Sequence, residues 1–218
     1  MNKKFLIFIE NGDLRKEYLM AKNFTEEDIQ LLKEKLRESC ANGWKTKGYK
    51  LTNIAFLTKE VGISTGSFYR LYETKEELFL EVLLMIQVQL KEQWNSIMQT
   101  NPGIEGFKTA MKWLFEEYVK YPKLYDFSNP DYVLFLNKLP QAEIESFREN
   151  DKDFLNNAIE HSSLKLKISK EQAYGIFSTL LFTATMEKDF GNNKKEIFGF
   201  LLDNSIYQIF EINKEVNN

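Results

Sequence analysis

The sequence predicts an all-α chain with a small three-helix head, containing a helix-turn-helix, ahead of a larger helical body. Three observations predict it. Apolar residues recur at steps of three and four through most of the chain, the period of a helix with one buried face. Only four prolines and ten glycines interrupt 218 residues. Helix-start signals such as T-E-E-D at Thr25 and T-K-E-E at Thr74 stand before those apolar stretches. A hydrophobic content of 43% and an aromatic content of 14% supply a packed core. The expected division is an N-terminal extension over 1–24, the head over 25–78 and the body over 79–218.

The extension reads two ways. F-L-I-F-I fits a strand or a helix end and D-L-R-K-E-Y-L-M-A-K a short helix, so the stretch either packs on the head or works as a basic arm through Lys3 and Lys4. The first helix of the head starts at Thr25, with acidic residues in its first turn where the helix dipole favours them. Ile29, Leu32, Leu36, Cys40 and Trp44 form its buried stripe, and Gly48 closes it. Lys45, Lys47 and Lys50 cluster at its end as candidate phosphate contacts.

Thr52 or Asn53 caps the next helix, because a side-chain oxygen there accepts from an unpaired backbone N–H. Ile54, Leu57, Thr58 and Val61 fall on one face. Gly62 ends the helix, since glycine reaches the left-handed conformation at little cost. Ser64 caps a third, short helix that turns Phe68 and Leu71 inward. Thr65, Ser67, Tyr69 and Arg70 then face elsewhere. Thr74 and Glu77 form a capping box that opens a long helix. Helix, glycine turn and short helix make the helix-turn-helix plan.

These residues resemble the DNA-binding domain of the tetracycline-repressor (TetR) family of bacterial transcription regulators. Leu36, Cys40, Trp44, Gly48 and Tyr49 occupy the places where that family has an apolar residue, a small residue, an aromatic, a glycine and an aromatic. The match continues through Thr52, Ile54 and Leu57 and is strongest over G-I-S-T-G-S-F-Y-R-L-Y-E-T-K-E-E-L, with no gap. Thr58 departs from the family's usual alanine and fits if its hydroxyl bonds back to a carbonyl. Thr65, Ser67, Tyr69 and Arg70 are expected to form the groove-facing side of the third, short helix, the resemblance implies a DNA role for Gly66 and Lys75, and Lys50, Thr52, Asn53 and Ser64 are further candidate DNA contacts. Gly66 would let the helix approach DNA closely, and Arg70 is the candidate for a bidentate base contact.

In the body, the long helix carries Leu78, Phe79, Val82, Leu83, Ile86, Leu90, Trp94 and Ile97 to about Gln99, where Asn101-Pro102-Gly103 breaks it. A helix follows over Ile104–Lys120, apolar on more than one side. A short one is expected near Lys123–Phe127, then a broken stretch N-P-D-Y-V-L-F-L-N-K-L-P, then a helix from Gln141 to His161. The last two helices span Lys170–Lys188, capped by Ser169, and Lys194–Glu211. Their apolar surfaces are wider than one helix partner needs, which predicts a homodimer that a charge at Leu180 or Phe198 would break.

Charge divides the chain as the helices do. Residues 1–75 hold 14 Lys+Arg against 10 Asp+Glu, and residues 76–218 hold 15 against 22. A basic head on an acidic body suits duplex DNA as the partner of the head. No apolar run nears the ~18 residues of a membrane span, and F-L-I-F-I is short for a signal peptide, so no membrane association and a cytoplasmic location are expected. A lone cysteine, Cys40, excludes an internal disulfide and reads as a buried thiol.

No catalytic constellation appears. The one histidine, His161, ends a helix, and no Cys/His/Asp cluster has metal-ligand spacing, so no metal and no cofactor are expected. Phosphate-binding glycine loops and nucleophile elbows are missing too. The aromatic wealth of 104–160 packs the core, and some of it can line a cavity. Phe107, Met111, Tyr118, Phe147 and Phe177 are the candidate ligand contacts. The function expected is a non-enzymatic regulator, a homodimer on a palindromic operator, released by a small apolar or aromatic effector. The alternative is a helical DNA-binding protein controlled by a protein partner.

Overall fold

The computed structural model describes residues 24–160, 162, 164–186 and 193–211, with the side chains of 147, 148 and 150–153 excepted. The expectations for the extension, Lys3, Lys4, Phe147 and His161 therefore lie outside the described residues. Among these residues the secondary structure is helical, apart from one antiparallel bridge between Leu166 and Phe210. The chain divides into two compact units, Met1–Val82 and Leu83–Asn218.

The first unit starts with α1 (Glu26–Lys47). The Thr25 hydroxyl accepts from the Asp28 N–H at 3.1 Å, and the Asp28 carboxylate accepts from the Thr25 N–H at 3.0 Å, a reciprocal box. The Thr25 hydroxyl, which also donates to the Asp28 carboxylate at 2.7 Å, and the Thr25 N–H hold the Asp28 carboxyl below the usual carboxylate range. Ile29, Leu36, Cys40, Gly43 and Trp44 are its buried face. Gly48 stops it at positive φ, 85° with ψ 175°, with its N–H bonded to the Trp44 carbonyl.

Helix α2 (Ile54–Val61) is capped by Asn53, whose side chain accepts from the Phe56 N–H at 2.9 Å. It lies close against α1 at Gly43, where a Cβ would fall 2.6 Å from the Thr52 methyl and 2.9 Å from the Phe56 ring. Thr58 fits the contact as its chemistry requires, its hydroxyl donating to the Ile54 carbonyl at 2.8 Å. Gly62 takes the left-handed conformation, φ 75° and ψ 34°, and the chain turns into α3 (Thr65–Leu71). Helix α4 (Lys75–Thr100) follows and continues from the first unit into the second. Its opening differs from a simple box. Thr74 caps the Glu77 N–H at 3.1 Å, while the Glu77 carboxylate accepts from the Glu73 N–H at 2.6 Å.

The second unit adds α5 (Ile104–Lys120), α6 (Pro122–Tyr125), α7 (Pro130–Leu136), α8 (Gln141–Glu160), α9 (Lys170–Phe182) and α10 (Lys194–Ile209). Glycine is required at Gly106, in the first turn of α5, because a Cβ there would sit 1.4 Å from the Asn101 carbonyl oxygen. The stretch read as broken, N-P-D-Y-V-L-F-L, is helix α7. Asn129 caps the Asp131 N–H, and Pro130 stands at the first helical position, where a missing N–H costs nothing.

Helix α9 ends earlier than its apolar period suggests. Phe182 leads into a single 3₁₀ turn, Thr183–Thr185, where the Thr183 and Thr185 hydroxyls bond to the Leu180 and Phe182 carbonyls. Side-chain oxygens competing for backbone groups in this way loosen an α-helix. After α10 the chain turns antiparallel to 165–167, with the Lys167 N–H on the Ile209 carbonyl and the Glu211 N–H on the Lys165 carbonyl, both at 2.8 Å.

The core of the second unit is aromatic. Phe107 meets Trp94, Phe177 and Phe210 at ring separations of 5.3, 5.0 and 5.1 Å, and Phe115 stacks on Phe198 at 4.0 Å. Phe198 is 1% exposed and Leu180 is buried, so neither forms an outer face. That corrects the expectation that they carry a dimer contact. Phe198 packs on α5, and the exposed large apolar residues of α9 and α10 are Ile176, Phe182, Phe200, Leu201 and Tyr207.

Candidate nucleic-acid interface

Helix α3 is amphipathic in a strict sense. Phe68 and Leu71 are fully buried and anchor it, while Thr65, Gly66 and Tyr69 are exposed on the opposite side. Ser67 and Arg70 are half-buried at its edges. Ser64 sets the start of the helix by accepting from the Ser67 N–H at 3.0 Å, and its hydroxyl is 2.9 Å from that of Ser67. Tyr69 is 51% exposed yet fixed, its ring edge-on to Phe68 at 5.6 Å. An added Cβ at Gly66 would meet only the Ser64 hydroxyl at 3.7 Å, so nothing within the head demands glycine there. The Arg70 guanidinium lies 5.9 Å from the Phe24 ring.

Lys50 and Asn53 are exposed at the approach to α2. Thr52 is not. It is 0% exposed, and its hydroxyl donates to the Gly48 carbonyl at 2.8 Å. Its side chain packs against Gly43 and cannot reach a phosphate, which corrects the expected contact. The sequence allowed Thr52 or Asn53 as the cap. The structure gives that task to Asn53 and puts Thr52 inside.

Lys75 opens α4, where a phosphate contact was expected. Its ammonium donates to the Tyr49 carbonyl at 2.5 Å and stands 3.6 Å from the centre of the Tyr49 ring. It therefore already ties the α1–α2 turn to α4, and a partner anion would have to share it. An ammonium has three donors, so a phosphate and this carbonyl do not exclude each other. The Tyr49 hydroxyl in turn bonds Glu76, one residue along the same helix.

A second tie holds the far end of α3. Tyr72, its C-cap, donates to Glu81 at 2.8 Å, and Arg37 of α1 donates to the other oxygen of that carboxylate at 2.8 Å. Burial and the Glu81 carboxylate raise the Tyr72 phenol well above its ordinary range, so it remains a proton donor. The Lys33 ammonium lies 4.8 Å from the Tyr72 ring. Sequence reasoning did not find this group. The signal was there: Glu81 falls between Leu78 and Val82, on the apolar side of α4, where a carboxylate needs a partner.

The candidate ligand contacts are not brought together around an opening. Phe107, Met111 and Phe177 are fully buried in the core, and Tyr118 stacks on Tyr125 at 4.5 Å. Their aromatic rings are spent on each other. An open cleft of about 870 Å³ lies elsewhere in the second unit, between α4, α8 and the turn into α5. Among the described residues no cluster of metal-ligating side chains occurs, and no helix is long and apolar enough to cross a membrane.

Residues 42–82 match the family model for bacterial regulatory proteins of the tetR family. The fold is similar to a TetR family transcription regulator from Marinobacter aquaeolei, at 14% identity over 86% of this chain and 100% of that one, with a TM-score of 0.56. It is also similar to the transcriptional regulator FadR from Bacillus subtilis in complex with stearoyl-CoA, at 13% identity over 81% and 98%, TM-score 0.58. A third is the TetR family repressor FadR of Thermus thermophilus in complex with lauroyl-CoA, at 17% identity over 85% and 98%, TM-score 0.51. No curated protein matches the chain.

Proposed function

We propose that this chain, which belongs to the tetR family of bacterial regulatory proteins, is a homodimeric repressor that leaves its operator when a small apolar or aromatic ligand binds the second unit. The observation that carries the reading is α3. A seven-residue helix with one side buried on two apolar anchors offers Thr65, Gly66 and Tyr69 outward, with Arg70 and Ser67 at the rim. A helix presented this way enters a major groove and places short side chains on base edges. Lys50, Asn53, Ser64 and Lys75 surround it as contacts to the sugar-phosphate backbone, which position the helix without reading sequence.

A palindromic operator needs two copies, and the outward faces of α9 and α10 supply the surface. Gly175, Ile176, Thr179 and Phe182 are exposed at helical spacing on α9, and Phe200, Leu201 and Tyr207 on α10. Phe200 is 69% exposed, the most exposed of the large apolar residues among those described. Two such helices pack against their own copies in an isologous contact. The effector is supported by the relatives of the same fold that are complexed with stearoyl-CoA and lauroyl-CoA.

Duplex DNA selected from a random pool should yield a two-fold site with half-sites about one helical turn, ~34–36 Å, apart. Sedimentation should give a dimer at micromolar concentration. Phe200→Asp should give a folded monomer that no longer retains the selected DNA. A monomeric wild type that binds a single half-site would overturn the dimeric reading.

A further inference from the structure

The open cleft of the second unit has three walls of different chemistry. Helix α4 contributes Lys91, Trp94, Met98 and Gln99 at helical spacing, and α8 contributes Phe154 and Asn157. The third wall lies where 165–167 pairs with 209–211, and is represented by Leu164, Lys165 and Glu211. The apolar floor is packed ring on ring. Trp94 stands edge-on to Phe154 at 5.7 Å and to Phe107 at 5.3 Å.

Among the described residues, the charged groups that line the cleft are unequal in sign. Lys91 and Lys165 oppose a single carboxylate, Glu211, which Lys165 holds at 2.9 Å. That pair is solvent-exposed, with the Lys165 side chain 76% accessible, so it exchanges partners at little cost. The cleft therefore has an apolar, partly aromatic floor and a rim with one net positive charge. Its volume of about 870 Å³ lies in the range of small-molecule sites.

We propose that this cleft is the effector site, and that it takes an amphipathic anion with an apolar or aromatic body and a single acidic head. The body lies on Met98, Ile104 and Phe154, with the buried Trp94 beneath them, and the head meets Lys91 and Lys165. A cation of the same shape faces two ammonium groups, and a neutral analogue forgoes the rim. The inference rests on the reading that a small molecule controls this chain. It moves the site away from Phe107, Met111 and Phe177, which lie behind the floor and fill the core.

The test uses the full-length protein and two fluorescent probes with one aromatic frame. 1-Anilinonaphthalene-8-sulfonate carries an acidic head, and N-phenyl-1-naphthylamine does not. The sulfonate should bind about threefold tighter or more, the order of gain that exposed ion pairs give. Lys91→Gln combined with Lys165→Gln should erase that preference while leaving the neutral probe unchanged. Asn157→Trp, which fills the cleft from α8, should weaken both probes; Gln99→Trp fills it from α4 and serves if the first variant melts early. Equal binding of the two probes by the wild type overturns the anionic ligand class. Binding untouched by the filling variants overturns the site, and places the probes on an exposed apolar face instead. Operator retention is measured in parallel. Release by the sulfonate that survives the filling variants overturns this site but leaves ligand control standing. Sulfonate held in the cleft with no loss of operator overturns ligand control through it.

Discussion

The Tyr72 hydroxyl donates to the Glu81 carboxylate at 2.8 Å, across nine residues that separate the end of α3 from the second turn of α4. Because Arg37 occupies the other oxygen of Glu81, three helices of the first unit meet in one ionic group. Tyr72→Phe removes one partly buried hydrogen bond and should lower unfolding free energy by about 0.5–1.5 kcal/mol. Glu81→Ala strips Arg37 and Tyr72 of an acceptor at once and should cost more, ~1–3 kcal/mol. The two effects should be non-additive in a double-mutant cycle read by urea unfolding. Additive losses would show that the pair is not coupled.

Arg70 tests direct base readout. Arg70→Ala should relax preference at one position of each half-site, a loss of about 1–3 kcal/mol of discrimination, in a repeated selection from random DNA. An even loss of affinity over all sequences would assign Arg70 to phosphate instead.

Gly66 separates folding from binding. The head has room for a Cβ there, with only the Ser64 hydroxyl at 3.7 Å, and alanine is the better helix former by roughly 1 kcal/mol. Gly66→Ala should therefore hold or raise the melting temperature while weakening operator binding. A variant that binds as well as the wild type would show that α3 does not approach DNA closely at this residue.

Lys75 is pulled two ways, toward the Tyr49 carbonyl within the head and toward a phosphate outside it. Lys75→Ala should lower stability slightly and weaken specific and random DNA alike. In a symmetric dimer two contacts vanish, so the slope of log K against log[salt] should shrink by about 2, at ~0.9 per phosphate. A lower melting temperature with an unchanged slope would leave Lys75 a purely internal tie.

Much of the fold was legible because local chemistry and the helical period agree. Thr25, Gly62, Ser64 and Ser169 each carry the cap or stop their residue types imply. Legibility failed where tertiary contact decides. Thr52 and Asn53 are both competent caps, and only the proximity of Gly43 puts Thr52 inside. The threonines after Phe182 continue the apolar period, yet their hydroxyls redirect the backbone. Leu180 and Phe198 could not be told from Ile176 and Phe200 by period alone, since α9 and α10 are apolar on both sides. The aromatic residues expected as ligand contacts, Phe107, Tyr118 and Phe177, pack on other rings of the second unit. The cleft is lined instead by residues from segments far apart in sequence, and no local pattern joins Lys91 to Glu211.

Cys40 gives the head a built-in clock. It is 0% exposed, sits beside Trp44 on the inner face of α1, and burial pushes its thiol well above the ordinary range. A thiol reagent can reach it only after the helices around it part, so the labelling rate counts openings of the head. Since no other cysteine exists in the chain, the count needs no engineered reporter. Bound operator, which favours the closed head, should slow labelling in proportion to its occupancy. An anion seated in the second unit that loosens the operator should restore the faster rate, so one sulfur atom can time the communication between ligand and DNA.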